Sequence, residues 1–328
     1  MHMIWLQFIV CVLIILVAGS RVAKYGDILA EKTKLGGLWF GVIVIALVTS
    51  LPELITGISA VTFVGQPDLT VGNLLGANGF NMLNLAFLDI ASRTPILAAV
   101  SPTHRLTGRF GLSMVAMIAA SIFLDQRVFT FSLGWIGWYT PAILIFYIYA
   151  VRKIFLAERN LPASAVVIKH EDKSLKRMLA YFAVAAIFIV GAGMWLATIG
   201  DQIAAVTGWG RSFVGSLFLA LTTTLPEIVV SFAALRIGAL DLAVANMVGS
   251  NLFNMIIVGI DDIVFIKGPI LSAVSENQLI IAFTVILIMA LFIMGAKVKP
   301  RRFYRLSWFN IGTIVLFVAG FYFSFMAG

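Results

Sequence analysis

Residues 49–53 read Thr-Ser-Leu-Pro-Glu, and the chain repeats this stretch at residues 223–227 as Thr-Thr-Leu-Pro-Glu. A second stretch is also duplicated. Residues 73–82 read Asn-Leu-Leu-Gly-Ala-Asn-Gly-Phe-Asn-Met, and residues 246–255 read Asn-Met-Val-Gly-Ser-Asn-Leu-Phe-Asn-Met. The separation is 174 positions for the first pair and 173 for the second. The chain is therefore an internal duplication that preserves polar as well as apolar residues.

The composition around these motifs is typical of a membrane protein. Of the 328 residues, 61% are hydrophobic and only 12% are charged, whereas soluble domains contain about 25% charged residues. This balance excludes a water-soluble enzyme and a disordered chain. The single cysteine, Cys11, excludes a disulfide framework and a cysteine metal site. The three histidines lie outside the hydrophobic stretches, which argues against a histidine metal site.

Ten stretches are long and apolar enough to cross a membrane as helices, which takes about 20 residues each. They lie near residues 3–20, 37–63, 69–91, 107–125, 130–151, 177–199, 212–236, 242–265, 277–296 and 306–326. The first is too long for a signal-peptide core and lacks a basic start, so we expect a retained helix. One long polar connection, residues 152–176, separates five predicted helices from five. We therefore predict a first five-helix repeat at 1–151, a loop at 152–176 and a second repeat at 177–328.

The basic residues predict the orientation of these helices. Twenty of the 23 Lys and Arg residues lie in or beside the odd-numbered connections, and three lie in the even-numbered ones. Because Lys and Arg favour the cytoplasmic side, we expect both termini outside and the 152–176 loop in the cytoplasm. The net charge of +8 is then a topology signal and does not indicate a nucleic-acid partner. Short loops and the lack of an organelle signal favour a prokaryotic inner membrane.

An odd number of helices in each repeat means that the second copy enters the membrane from the opposite side. The predicted fold class is an all-α membrane protein with ten transmembrane helices in two inverted-topology five-helix repeats. Such repeats are typical of secondary transporters, whose binding site lies at the midplane between the halves. We expect helices 2, 3, 7 and 8 to be broken or kinked around a midplane ion site.

Glu53 and Glu227 are the first candidate ion ligands, because each lies inside a hydrophobic span. A charge at the bilayer centre costs about 2.5–3.5 kcal/mol on insertion scales. The two carboxylates are therefore expected to face inward, toward each other or toward a bound cation. The alternative is a neutral, protonated glutamic acid that is hydrogen-bonded within the bundle.

Pro52 and Pro226 precede the two glutamates and are expected to break their helices, because proline removes a backbone donor. Within a membrane the freed carbonyls must be satisfied by protein, water or an ion. These carbonyls would lie around residues 46–49 and 220–223. The hydroxyls at the same depth belong to Thr49, Ser50, Thr223 and Thr224. Together they would form an oxygen cage, and a simple proline kink is the alternative.

The second pair of motifs adds amide and hydroxyl groups. Asn78 and Asn81 are three residues apart and share one helix face, as do Asn251 and Asn254. Asn73, Asn246 and Ser250 lie in the same motifs. Hydrogen bonding between helices is the alternative role for any one of these amides. A ligand set of oxygens without sulfur or imidazole suits hard cations such as Ca²⁺, Na⁺ or Mg²⁺.

Three aspartates lie near the ends of predicted helices: Asp89, Asp261 and Asp262. Asp89 and Asp262 occupy equivalent positions of the two halves. Because water is available at helix ends, we expect these side chains to be solvated. A role in lining an ion vestibule is the alternative.

At its duplicated motifs the sequence resembles the calcium/cation antiporter superfamily, the group that contains the sodium/calcium exchangers. The repeats of that family read like Gly-Thr-Ser-Leu-Pro-Glu followed by Gly-Asn-x-x-Gly-Ser-Asn and a later Asn or Asp. The counterparts here are residues 48–53 with 72–81, and residues 222–227 with 245–254. The resemblance also covers the ten-helix plan. It implies exchange of Ca²⁺ against Na⁺ or H⁺ by alternating access, with helices 1 and 6 sliding across a rigid core.

The resemblance implies a ligand set for each ion. For Ca²⁺ it implies two carboxylates and two backbone carbonyls, those of Glu53, Glu227, Thr49 and Thr223. For Na⁺ on one side it implies the carbonyl of Ala46 with Ser50. For Na⁺ on the other side it implies the carbonyl of Ala220 with Thr224 and Ser250. Two amides would line the centre, those of Asn81 and Asn254.

Three departures from the family pattern bear on the choice of ions. Ala77 stands where the family often has Ser, so one Na⁺ site loses a hydroxyl. Val48 and Thr222 replace the usual glycine before the threonine, which would stiffen or narrow the break. Asn254 stands where several microbial members have Asp, which lowers the negative charge available for cations. The counter-ion is thus Na⁺ or H⁺, since protons can compete with metal at the two glutamates.

The sequence as a whole predicts a secondary antiporter that exchanges Ca²⁺, or a related cation, for Na⁺ or H⁺. No tightly bound cofactor, nucleic acid or protein partner is implied, and the partners are the lipid bilayer and the transported cations. An enzyme is not predicted. One alternative is a cation channel, which would carry flux without a counter-ion. Another is a non-transporting membrane scaffold, which would tolerate loss of both glutamates.

Overall fold

The structure, a computed structural model, describes residues 2–33, 40–128, 131–159, 174–207, 217, 219–298 and 305–327. Within these ranges the chain is almost entirely helical. In chain order the helices are α1 (His2–Thr33), α2 (Phe40–Thr49), α3 (Leu51–Val64), α4 (Pro67–Ala91), α5 (Ile96–Ala99), α6 (Pro102–Arg127), α7 (Tyr139–Arg159), α8 (Leu175–Thr207), α9 (Ala220–Thr223), α10 (Leu225–Arg236), α11 (Leu240–Val264), α12 (Gln278–Val298) and α13 (Trp308–Ala327). Two short antiparallel strands, β1 (Ser132–Leu133) and β2 (Ile136–Gly137), form a hairpin before α7.

The described helices are those of an integral membrane protein. Eight of them are long and apolar enough to cross a membrane, and the bent pair α2 and α3 makes a ninth candidate span. The predicted span at 212–236 falls partly on residues 212–216 and 218, which lie outside the described residues. Its described part consists of α9 and α10 with Leu219 and Leu217. The count of ten helices in inverted repeats therefore stays a prediction.

Several helix ends differ from the predicted ones. α1 continues to Thr33, well past the predicted end at residue 20, because Arg and Lys are good helix formers that can carry a helix beyond the apolar layer. α7 begins at Tyr139 and not at residue 130, because the β1–β2 hairpin precedes it and Gly134 provides the left-handed turn at φ +71. α7 also runs to Arg159, into the predicted 152–176 loop, of which residues 160–173 lie outside the described residues. The three-part division of the chain stays a prediction.

α4 and α11 form the centre of the bundle. In the most apolar window of each helix, 78% of the residues of α4 and 89% of those of α11 are buried, against 22% for α1. Each is one uninterrupted helix without an internal proline. The break or kink expected in these two helices, predicted helices 3 and 8, is therefore not seen as an interruption. The structure instead presents the duplicated asparagine motifs on two intact helices.

The helices that carry the glutamates are interrupted just before the prolines. α2 and α3 are bent by 42° where Ser50 separates them, and Thr224 separates α9 from α10. Pro52 and Pro226 fall in the first turn of α3 and α10, where a missing backbone N–H is tolerated. Each glutamate therefore lies in the first turn of a new helix that starts inside the bundle.

Glycines allow the broken helix α2 to lie directly on α11. A Cβ atom on Gly249 would lie 2.6 Å from the Cα atom of Val42 and 2.7 Å from its carbonyl oxygen. A Cβ atom on Gly41 would likewise lie 2.7 Å from the Cβ atom of Ala245. No larger side chain fits at either position, so these glycines bring the α2–α3 break close to the asparagine motif of α11.

Candidate cation site

Glu53 and Glu227 lie in the middle of the bundle and are both completely buried, with 0% of each side chain exposed. The two side chains are close enough for their charges to interact. Neither glutamate is paired with Lys, Arg or His, because the ion pairs of the described residues are His104 with Asp241 and Arg127 with Glu276. The structure thus brings together two buried carboxylates that have no cationic side chain beside them.

Glu227 receives hydroxyl donors from both halves of the chain. The Ser50 hydroxyl donates to Glu227 Oε1 at 2.9 Å, and the Ser250 hydroxyl donates to the same atom at 3.5 Å. The other oxygen, Oε2, has no hydrogen-bond partner among the described residues. The family resemblance assigned Ser50 and Ser250 to different Na⁺ sites, and here they converge on one carboxylate oxygen.

Glu53 lacks the equivalent donors. Neither of its carboxylate oxygens has a hydrogen-bond partner within the described chain. Thr224, the equivalent of Ser50, donates instead to the Ala220 carbonyl at 2.6 Å. Ala77, the equivalent of Ser250, has no hydroxyl. The two halves of the site therefore differ in hydrogen bonding although they share the same backbone plan.

The two threonines expected as Ca²⁺ ligands each contact the opposite half. The Thr49 hydroxyl shares its proton between the Ile45 carbonyl at 3.0 Å and Asn246 Oδ1 at 3.3 Å, and the Thr223 hydroxyl donates to Asn73 Oδ1 at 3.2 Å. Asn73 and Asn246 were not among the expected ligands, although their place in the duplicated motifs could have indicated them. These two bonds hold the breaks of the glutamate helices against α4 and α11.

The backbone carbonyls expected as ligands are partly engaged. Ala46 O accepts the N–H of Ser50 at 3.0 Å, and Ala220 O accepts the N–H of Thr224 at 3.0 Å. A carbonyl oxygen has two lone pairs, so a cation could still share either atom. Because proline has no N–H, the carbonyls that lose their helical donor lie four residues before Pro52 and Pro226, at Val48 and Thr222.

Four amide hydrogen bonds join α4 to α11 at the centre of the bundle. Asn78 Nδ2 donates to the Asn251 carbonyl at 3.2 Å, and Asn251 Nδ2 donates to the Asn78 carbonyl at 3.3 Å. Asn81 Nδ2 donates to Asn251 Oδ1 and Asn254 Nδ2 donates to Asn78 Oδ1, both at 3.0 Å. The four bonds form two pairs, and the two bonds of each pair join equivalent residues of the two halves. The side-chain oxygens of Asn81 and Asn254 remain without partners among the described residues and are free to face an ion.

The expectation of solvated aspartates is wrong for Asp89, Asp261 and Asp262, which are 1%, 0% and 0% exposed. The loops that follow the helices fold back and donate to Asp89 and Asp262. Asp89 accepts the N–H of Ile96 at 2.6 Å. Asp262 accepts the N–H groups of Gly137 and Ile270 at 2.8 and 2.7 Å, together with the hydroxyls of Tyr139 and Thr140. These two aspartates fasten loops and are not available to ions.

The described residues contain no group of three or more His, Cys, Asp or Glu side chains that could hold a metal ion on their own. The central set instead combines two carboxylates with hydroxyl, amide and carbonyl oxygens. Such oxygen ligands suit hard cations. Chemically, this arrangement of oxygens is suited to reversible binding of a cation between the two halves.

Comparison with known proteins gives one family. The family model described as "Sodium/calcium exchanger protein" matches residues 3–156 and 177–326. The chain is also similar to the inner membrane protein YrbG of Escherichia coli K12, with 26% identity over 254 residues, which are 76% of this chain and 76% of that protein.

Solved structures of the sodium-calcium exchanger NCX_Mj have a similar fold. One, soaked with 10 mM Na⁺ and zero Ca²⁺, gives a TM-score of 0.72 at 22% identity and covers 97% of this chain and 98% of that chain. Another, soaked with 100 mM Na⁺ and 10 mM Sr²⁺, gives a TM-score of 0.74 at 20% identity and covers 100% of this chain and 99% of that chain. The similarity extends over the whole fold.

Proposed function

Because the chain belongs to the sodium/calcium exchanger protein family, it is a cation antiporter and not an enzyme, and we propose that it exchanges Ca²⁺ for Na⁺ or H⁺ by alternating access. The membrane we propose is the bacterial inner membrane, as for the relative YrbG. In the proposed orientation both termini face outward and the 152–176 loop faces the cytoplasm. The proposed architecture has two inverted five-helix repeats.

The observation that carries this proposal is the state of the two buried glutamates. Three of their four carboxylate oxygens have no hydrogen-bond partner among the described residues, namely both of Glu53 and Oε2 of Glu227. A buried charge without a partner is costly. A divalent cation between the two carboxylates would neutralise both, and two protons or Na⁺ ions would do the same.

The proposed Ca²⁺ ligands are these carboxylates with the backbone carbonyls of Thr49 and Thr223. The side-chain oxygens of Asn81 and Asn254 would line the same space. This assignment is supported by the threonine contacts to Asn246 and Asn73, which hold each break beside the opposite half.

The proposed Na⁺ ligands are unequal on the two sides. On one side the hydroxyls of Ser50 and Ser250 lie on Glu227, and the Ala46 carbonyl lies at the same break as Ser50. On the other side the Ala220 carbonyl lies with Thr224, and Ala77 stands where a hydroxyl is missing. We therefore expect fewer bound Na⁺ ions than a fully hydroxylated site would hold, and a larger role for protons.

Obligatory exchange follows from the charge of the empty site. Without a cation, up to two negative charges would have to move through a region of low dielectric as the helices rearrange, which is unfavourable. Binding of Ca²⁺, or of Na⁺ or H⁺, removes that penalty. The transporter can then change its open side only when it is loaded, which couples the two fluxes.

The test is ⁴⁵Ca²⁺ uptake into proteoliposomes that contain the purified protein. Vesicles are preloaded with Na⁺ at equal pH, or given a pH gradient in the absence of Na⁺, and compared with vesicles that have neither gradient. Uptake in either of the first two conditions supports exchange. Equal uptake without any counter-ion would identify a channel, and no uptake in any condition would overturn the assignment of Ca²⁺.

A further inference from the structure

One polar cluster in the bundle has no equivalent in the other half. It consists of Thr70 on α4 and Asp261 on α11, beside Gly57 on α3. By the separation of the repeats, Thr70 corresponds to Ala243, Asp261 to Leu88 and Gly57 to Ser231. The duplication therefore does not explain this cluster, and the site described above does not use it.

The contacts of Asp261 leave one of its oxygens free. The Thr70 hydroxyl donates to Asp261 Oδ2 at 2.5 Å. Asp261 Oδ1 is buried and has no hydrogen-bond partner among the described residues. The side chains of Asp261 and Thr70 are 0% and 1% exposed. This is a buried carboxylate with a single neutral donor.

Gly57 provides the space for this carboxylate. A Cβ atom there would collide with Asp261 Oδ2 and lie 2.7 Å from the Thr70 hydroxyl. In the other half the equivalent Ser231 hydroxyl accepts a hydrogen bond from Asn246 Nδ2 at 2.9 Å. In this half Asn73 Nδ2 is buried without a partner. Asp261 therefore takes the space that a serine side chain occupies in the second half.

The cluster lies one helical turn from the ion site. Gly57 follows Glu53 by four residues on α3, a rise of about 6 Å along the same helix face. Thr70 precedes Asn73 by three residues on α4, and Asn73 accepts the Thr223 hydroxyl beside the glutamates. The displacement is toward the end of the bundle that holds the α3–α4 turn at Gly65, which is the outer end in the proposed orientation.

The charged groups around the cluster do not pair with Asp261. On its own helix, Asp262 is taken up by the hydrogen bonds that fasten its loop. On α4, Asp68 accepts the N–H of Ser275 at 2.7 Å. Lys267, in the loop after α11, has its ammonium 3.1 Å from the position of a Cβ atom on Gly65. On α3, Glu53 is itself an acid one turn away. Within the described chain no cation compensates Asp261.

A proton fits this cluster better than a metal ion does. Na⁺ and Ca²⁺ require several oxygen ligands, and Asp261 offers one free oxygen with a single hydroxyl beside it. A proton requires one oxygen and removes the buried charge. We infer that Asp261 is a proton-binding site on the ion path, separate from the glutamate pair and one turn from Glu53.

This inference rests on the proposed exchange and adds a proton route to it. Asp261 Oδ1 takes a proton from water at the Gly65 end of the bundle, and the neutral acid then gives the proton toward Glu53 and becomes a carboxylate again. Only O–H bonds form and break, and no other reactant is needed. The route exists in one half only, because Leu88 stands at the equivalent position of the other half.

The first test compares two modes of transport in proteoliposomes for Asp261→Asn. Asparagine keeps the size of the side chain and an acceptor for Thr70, but it cannot exchange a proton. We expect Ca²⁺ uptake driven by a pH gradient to slow by about 100-fold or more, in the range lost when a proton-transferring group is removed. Exchange of ⁴⁵Ca²⁺ for unlabelled Ca²⁺ at equal pH moves no proton and should keep its wild-type rate. Asp68→Asn, at the same end of the bundle, is the matched control and should leave both modes unchanged.

Each other outcome contradicts the inference. Wild-type rates in both modes would show that Asp261 carries no proton of the cycle. Equal losses in both modes would show that it serves the fold or the binding of Ca²⁺.

A second test does not depend on transport, so it separates this inference from the proposed function. In the variant that combines Glu53→Gln with Glu227→Gln, the infrared carbonyl band of a buried protonated carboxylic acid is followed during a pH titration in lipid. We expect a band that titrates and that disappears when Asp261→Asn is added, while Asp68→Asn keeps it. A band that survives Asp261→Asn, or the absence of any such band, would overturn the inference even if Ca²⁺ exchange is observed. If the wild-type protein moves no Ca²⁺, the proposed function fails and this readout still decides the proton site.

Discussion

The Ser50 hydroxyl, at the helix break of one half of the chain, donates a 2.9 Å hydrogen bond to Oε1 of Glu227 in the other half. Its equivalent, Thr224, donates at 2.6 Å to the Ala220 carbonyl of its own half. One glutamate is therefore partly satisfied by hydroxyls and the other is not. Two halves with duplicated motifs thus give the proposed ion site two different sides.

The first prediction concerns the missing hydroxyl at Ala77. Ala77→Ser places a hydroxyl at the position equivalent to Ser250, on the side where the Glu53 oxygens have no partner. We expect the Na⁺ concentration that gives half-maximal Ca²⁺ uptake to fall by about fivefold, which corresponds to one added ligand contact of about 1 kcal/mol. The measurement is ⁴⁵Ca²⁺ uptake against internal Na⁺ concentration at fixed pH. An unchanged Na⁺ dependence would show that position 77 does not contribute to Na⁺ binding.

The second prediction is the reciprocal change, Ser250→Ala. It removes one of the two hydroxyls that reach Glu227 Oε1. We expect a higher Na⁺ requirement and little change in uptake driven by a pH gradient, because a proton does not need the hydroxyl as a ligand. The measurement is ⁴⁵Ca²⁺ uptake by the same preparation under a Na⁺ gradient and under a pH gradient. Equal loss under both gradients would contradict a specific role in Na⁺ binding.

The third prediction concerns Asn254, which donates at 3.0 Å to Asn78 Oδ1. Asn254→Asp removes this donor and adds a third buried carboxylate near the glutamates. We expect the free energy of unfolding without a cation to fall by about 2–4 kcal/mol, and the stabilisation by Ca²⁺ to increase. Thermal unfolding in a chelator and in excess Ca²⁺ measures both. Asn277→Asp, which removes only a solvent-exposed hydrogen bond to the Ala327 carbonyl, is the control and should change either quantity by less than about 1 kcal/mol, and a variant as stable as the wild type in chelator would count against the prediction.

The fourth prediction separates neighbouring aspartates. Asp262 accepts the N–H groups of Gly137 and Ile270. Asp262→Asn replaces one of the accepting oxygens with an NH₂ group, which would face these N–H donors. We expect a loss of about 2–4 kcal/mol in the free energy of unfolding, because buried polar groups lose their partners. Proton dependence of transport should remain as in the wild type. A variant of normal stability with altered proton dependence would reverse the roles assigned to Asp261 and Asp262.

The centre of the fold could be predicted from the sequence because its signals are strong and local. The stretches at 69–91 and 242–265 differ from the observed helices α4 and α11 by no more than two residues at either end. The interruptions before Pro52 and Pro226 follow directly from the missing backbone donor. The ends of α1 and α7 were predicted less accurately, because each helix continues through polar residues beyond its apolar stretch.

The hydrogen bonds of the site could not be predicted from the duplication. The equivalence of Ser50 and Thr224 suggested equal roles, whereas the structure sends one hydroxyl across the interface and the other to its own helix. The burial and the hydrogen-bond partners of the aspartates could not be predicted either, because they depend on where the loops fold back. Asp262 gains partners from β2 and α7, which are distant in sequence, and from Ile270 in the loop after its own helix.

The most direct test of the central claim, that a cation is carried between two buried glutamates, is ⁴⁵Ca²⁺ exchange by proteoliposomes containing Glu53→Gln or Glu227→Gln. Glu53 makes no side-chain hydrogen bond that glutamine would break, and glutamine at 227 keeps an acceptor for Ser50. Both variants should therefore elute as folded protein with unfolding temperatures no lower than that of the wild type. We predict that each abolishes Ca²⁺ exchange, whereas exchange at the wild-type rate in either variant would contradict the account.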